Sequence, residues 1–237
     1  MTEEIPKDDR RHHAEIIGWI GLADHDYLGA RVLINNALLL QGAILSCTAI
    51  EKYLKMIHKI RGWTYPYRNH DLIDLNNRAK LNGLDLKLNE NYLSLLTKLY
   101  KMRYPDAVEA DFNYAINQAK LLVGLDETVY AIRHRLQIIN ADPDKKRESQ
   151  FEHWISSNYN HLTRMNHAYC PEVKRELLFQ NPSVWNEQRF VGGKAWMEAG
   201  YTANVKDDGV YDLPGLVPGE NDRQFKFQEA PMDLQNK

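Results

Sequence analysis

The stretch Leu40–Gly62, LQGAILSCTAIEKYLKMIHKIRG, limits the possible folds of this chain more than any other. Apolar side chains recur at Leu40, Ile44, Cys47, Ile50, Leu54 and Ile57, in steps of three and four. That spacing predicts a helix with one buried face. The other face carries Glu51, Lys52, Lys55 and Lys59 and reads as solvated. Glu51 and Lys55 stand in the favourable order for an i,i+4 pair, worth roughly 0.2–0.5 kcal/mol. Arg61 suits the negative C-terminal end, and Gly62 supplies a left-handed stop. A helix like this needs neighbours to cover its stripe.

The flanking sequence supplies them. Ile16, Ile20, Ala23, Tyr27, Ala30 and Ile34 predict a first amphipathic helix over 14–35, joined to the second by a short break at Asn35-Asn36. So tight a connection predicts antiparallel neighbours. After the loop 63–69, broken by Pro66, a short helix opens at His70-Asp71-Leu72 and ends at Asn82-Gly83. Asn89 caps the next, whose face is Tyr92, Leu95, Leu96, Leu99 and Tyr100. Arg103-Tyr104-Pro105-Asp106 ends it, because the residue before a proline is pushed out of helical geometry. A single long helix is expected over 111–140, a further one from Pro143 to Tyr169, and short helical pieces at 172–180 and 183–189. From Val191 glycine and proline accumulate and the apolar period is lost. The expected architecture is all-α: an antiparallel up-and-down helical bundle over 14–140, additional helices over 141–190, and an irregular tail over 191–237.

Composition excludes several classes of function. A net charge of −2 over 237 residues gives no global field towards nucleic acid or acidic lipid, so any such contact uses a local patch. No run approaches ~18 apolar residues, so no membrane span is expected. The charged N-terminus lacks a signal core. Two cysteines without metal-ligand spacing suit a reduced, cytoplasmic setting. The His12-His13 and His161/His167 groups lack the company a metal needs, and no Gly-rich phosphate loop follows a strand, so neither metal nor cofactor is expected. His134, between Arg133 and Arg135, reads as a basic helix surface.

Three motifs in order carry a resemblance. Ala49-Ile50-Glu51-Lys52-Tyr53-Leu54-Lys55 resembles the A-x-E-K-x-L-K helix of HEPN domains. His70-Asp71-Leu72 is similar to their H-D-L, and Tyr100 with Arg103-Tyr104-Pro105-Asp106 to their Y-x-x-R-Y-P-D. The resemblance covers about 14–140. It implies a helical bundle that is often a homodimer, in a family whose members bind RNA or nucleotides or partner with nucleotidyltransferases. Many of them serve bacterial toxin–antitoxin or anti-phage systems, and some are metal-independent ribonucleases. Nuclease members carry an R-x4–6-H pair, in which histidine moves the 2′-OH proton and arginine stabilises the crowded phosphate.

This chain offers one such match, Arg147…His153, placed after the resembling region and flanked by Glu148 and Glu152, which repel phosphate. A second candidate is a phosphate-binding corner of Arg68, His70 and Arg103 with the lysines Lys52 and Lys55. Each of these residues also has a structural reading. His70 or Asp71 caps a helix, Arg103 pairs with Asp106, and the lysines line a solvated face. Two functions follow: an RNA- or nucleotide-binding protein, catalytic through Arg147 and His153 if it cleaves, or a non-catalytic module that recruits a protein partner through 191–237.

Overall fold

The computed structural model of the protein describes residues 7–65, 68–104, 113–136, 149–191 and 195–211, with side chains from residue 13 onward except at 189–191 and 195–197. Helix α1 (Lys7–Asn35) and helix α2 (Leu39–Ile60) are joined by a turn in which Ala37 takes φ 62°. Leu45 meets Gly29, Lys52 pairs with Asp26, and Lys59 pairs with Glu15. Contacts that climb one helix while descending the other make the pair antiparallel. Gly42 is required at the crossing, since a Cβ there would sit 2.5 Å from the Ile34 side chain and 3.2 Å from its backbone nitrogen.

Helix α2 is the hub, packing also on α3 (Leu72–Leu81), α4 (Glu90–Lys101) and α5 (Gln118–Arg133). Its stripe at Cys47, Ile50, Leu54 and Ile57 is buried, as the periodicity predicts. The Gly62 stop forms too. Gly62 takes φ 66° and donates to Lys59 O at 3.1 Å, and Trp63 N–H donates to His58 O at 2.9 Å. This pairing satisfies two carbonyls at the helix end. Asp71 caps α3, accepting from the Ile73 N–H at 2.9 Å, and Asn89 caps α4, accepting from the Tyr92 N–H at 3.1 Å. The charged face of α2 departs from expectation. Glu51 and Lys55 are each 8% exposed, because α3 and α4 close over them.

The all-α expectation is corrected by a three-stranded antiparallel sheet, β1 (Tyr114–Asn117), β2 (Ser183–Val191) and β3 (Ala195–Ala203), in the order β1-β2-β3. Tyr114 stands opposite Gln188, and Ser183 opposite Ala203. β1 replaces the start of the long helix expected over 111–140. All four of its residues are buried, so their pattern has no solvent face to reveal a strand. Asn117 then caps α5, accepting from the Lys120 N–H at 3.1 Å. β2 replaces the helical piece expected over 183–189, and β3 lies in the tail that was expected to be irregular. β2 pairs on one side with β1, distant in sequence, which no local period reports, and on the other with its sequence neighbour β3, Val191 standing opposite Ala195.

Of the helix expected from Pro143 to Tyr169, residues 143–148 lie outside the described ones, and the rest holds two pieces, α6 (Gln150–Ser156) and α7 (Asn160–Thr163), broken where Asn158 takes φ 52°. Both pack on α1. A 3-10 turn follows at Arg175–Phe179. After β3, residues 205–211 lie over α4 and α5 as a strap. Lys120 holds Asp208 and donates to Val210 O at 2.9 Å, while Arg175 pairs with Asp207. The Tyr211 ring meets Tyr92 at 5.0 Å. Among the described residues no helix is long and apolar enough to cross a membrane.

Candidate functional site

The three motif segments converge on one corner of the molecule. Glu51 is buried on α2, and its two carboxylate oxygens are used separately. Lys55 Nζ donates to Oε1 at 2.6 Å, and His70 Nδ1 donates to Oε2 at 3.0 Å. A carboxylate only accepts, so Nδ1 carries the hydrogen, and Nε2 is the ring nitrogen left to face outward. The His70 side chain is about half exposed, whereas those of Glu51 and Lys55 are 10% exposed. The capping role falls to Asp71 alone, which fixes the start of α3 and so the position of its neighbour His70.

Aromatic and cationic groups from the end of α4 complete the corner. The His70 ring lies 5.6 Å from that of Tyr100, tilted by 32°. The Arg103 guanidinium covers the Tyr100 face at 3.6 Å and approaches the Tyr104 ring at 5.1 Å. Both Arg103 and Tyr104 are exposed, and Arg103 makes no ion pair among the described residues. Its expected partner Asp106 lies outside them, as does Pro105. Burial raises the Tyr100 hydroxyl pKa against the lowering by Arg103. Burial likewise pushes up the thiol of Cys47, which sits one turn below Glu51. That thiol is inert at neutral pH.

The other candidates separate. Lys52 pairs with Asp26 on α1, and Lys59 with Glu15, so neither stands as an unpaired cation. Arg68 is exposed at the loop before α3, without an ion pair among the described residues. His153 is exposed on α6, while Arg147 lies outside the described residues. Glu152 beside His153 is engaged twice, in the α6 capping box with Ser149 and with Arg133 Nη2 at 3.1 Å. His161 and His167 form no metal cluster, and among the described residues no group of three or more His, Cys, Asp or Glu side chains could hold a metal ion.

The family model of the HEPN domain matches residues 18–129. Over these residues the chain is similar to HEPN domains. No curated protein and no solved structure matches it. Glu51, Lys55, His70, Tyr100 and Arg103 all fall inside the HEPN match, whereas the Arg147…His153 pair falls beyond its end.

Sequence reasoning missed a second set of residues, the buried charges. Arg31 and Asp126 pair with both side chains fully buried, and Tyr27 Oη donates to Asp126 at 2.7 Å. Asn166 donates to Tyr27 Oη at 2.9 Å, and Arg31 Nε donates to His161 O at 3.2 Å. Arg133, expected on a basic surface, is 3% exposed and donates to Asp24 at 3.1 Å and to Leu136 O at 2.7 Å. The signal was present. Asp24 follows Ala23, Arg31 follows Ala30, and Asp126 follows Leu125, each beside a position on an apolar stripe.

Proposed function

We propose that this chain is a HEPN-type RNA- or nucleotide-binding protein whose phosphate-binding corner is formed by Arg103 and His70, with Arg68 at its edge. One observation carries the reading: Arg103 is exposed, free of an ion pair among the described residues, and stacked at 3.6 Å on Tyr100 beside the accessible His70. A guanidinium fixed on a ring offers its N–H edges to a phosphate at small entropic cost. Glu51 and Lys55 lie beneath. They orient His70 and bring little net charge to the surface. Lys52 and Lys55 therefore act as internal partners, and few phosphates are neutralised.

The wider reading follows from the HEPN likeness. It comprises a homodimer in the cytoplasm and service as effector or accessory subunit in a bacterial toxin–antitoxin or anti-phage system. If the protein cleaves RNA it does so without metal, through Arg147 and His153. The test is titration of a labelled single-stranded RNA oligonucleotide and of ATP by fluorescence anisotropy at 20 mM and 200 mM salt. Binding at low salt that Arg103→Ala weakens about tenfold or more supports the reading, since a charged hydrogen bond contributes roughly 1.5–3 kcal/mol. Its salt slope should correspond to only about one or two phosphates. Absence of binding at 20 mM salt refutes it and leaves the partner-recruiting module, reached through 191–237.

A further inference from the structure

The seam between the HEPN match and the added C-terminal segment contains a cavity of about 140 Å³, lined by residues from α5, α6 and the turn after α7. Tyr130 and His134 stack along one wall with ring centroids 5.9 Å apart and planes 14° from parallel. Tyr169 meets Tyr130 edge-on at 5.2 Å and Phe151 edge-on at 5.3 Å. Arg133 lies 4.9 Å above the Phe151 ring, and Glu152 contributes to the lining. All of these residues lie beyond position 129, outside the HEPN match.

The charges of this cavity are already matched to each other. Arg133 donates to Asp24, to Glu152, to Ser149 Oγ at 3.2 Å and to Leu136 O. Glu152 Oε2 accepts from the Ser149 N–H at 2.8 Å. No charge is left over to hold a phosphate or an ammonium ion. Aromatic rings remain, together with two hydrogen-bonding groups: the Tyr130 hydroxyl and the His134 ring make no hydrogen bond among the described residues. The volume is well below the ~300–1,000 Å³ of a site for a whole drug-sized ligand. It suits one flat ring system.

We infer that this cavity is a nucleobase pocket, taking a single uncharged heterocycle by stacking on Tyr130 and His134. Stacking tolerates any base, because every base has a π-face. The inference does not depend on the phosphate corner. The test uses the full chain with adenosine and cytidine, which carry no phosphate, followed by NMR of ligand and protein. Both nucleosides should bind, and Tyr130→Ala should weaken them about tenfold, within the ~1–3 kcal/mol per stacked base. Tyr130→Phe, which keeps the ring, should retain binding. Tyr130 is 43% exposed, so the alanine variant removes little core and should remain folded. Arg103→Ala should leave adenosine binding unchanged, so failure of the phosphate corner and failure of this pocket are read separately. Three results overturn the inference: no binding of either nucleoside, binding indifferent to Tyr130→Ala, or equal binding of phenol, which would make the cavity a socket for a tyrosine side chain.

Discussion

Replacing Asp126 by alanine should be among the most damaging single changes to this protein. Asp126 and Arg31 are each wholly buried, and the carboxylate accepts from both Arg31 and Tyr27. Removing it strands a guanidinium and a phenol in the core. Breaking a buried pair by deleting one partner costs about 3–5 kcal/mol, a large share of a total stability of roughly 5–15 kcal/mol. With a urea slope of about 2–3 kcal/mol/M, the midpoint should fall by about 1–2.5 M. The measurement is equilibrium urea unfolding followed by circular dichroism. The control removes both charges together, Arg31→Met with Asp126→Leu. It should be milder than Asp126→Ala, although not neutral, because Arg31 also donates to the carbonyls of His161 and Arg164. A midpoint shift for Asp126→Ala below about 0.3 M, under ~1 kcal/mol, would mean that water reaches Arg31 and that the burial argument is wrong.

Gly124→Ala should destabilise by about 1–3 kcal/mol through overpacking, since its Cβ would lie 2.5 Å from the Tyr92 ring and 2.9 Å from Tyr211 Oη; urea unfolding reports the loss, and faster amide exchange at 205–211 reports release of the strap. Asp71→Ala should cost about 0.5–2 kcal/mol as a lost N-cap and loosen the placement of His70, read as a stability loss in urea and as a changed His70 chemical shift. Acid should free the strap. The hydrogen bond from Lys120 holds Asp208 below the usual carboxylate range, so this anchor is intact above about pH 3.8 and is lost as pH falls from there through the folded value, a loss that amide exchange at 207–211 would show and that Asp208→Asn would abolish.

The helices before residue 102 were legible because each announces itself locally. A stripe at Cys47, Ile50 and Leu54, an Asp71 cap, an Asn89 cap and a Gly62 stop are signals carried within a few residues of the element they define. Strand β1 was not legible for the opposite reason. Tyr114–Asn117 is buried on both faces, and its partner lies some seventy residues away, so its apolar residues fit a helical count as well as a strand. The corner at Glu51, His70 and Arg103 was legible as three motifs but not as one object. Sequence places Glu51 and Lys55 on a polar face, and only the packing of α3 and α4 turns that face inward.

The buried charges alter how the HEPN match itself is understood. Asp24 lies within residues 18–129, yet the arginine that neutralises it, Arg133, lies beyond, and Arg133 is in turn held by Ser149 and Glu152 at the start of α6. Tyr27 and Arg31, also within the match, complete their hydrogen bonding on Asn166 and on the carbonyls of His161 and Arg164. A buried carboxylate or guanidinium without these partners carries a desolvation penalty of several kcal/mol. The matched segment therefore supplies the stripes of the core, while the polar interior of that core is satisfied only when Arg133 and residues 149–166 are packed against it. The nucleobase pocket sits on this seam, its stacking rings Tyr130 and His134 flanking the Arg133 that the buried charges require.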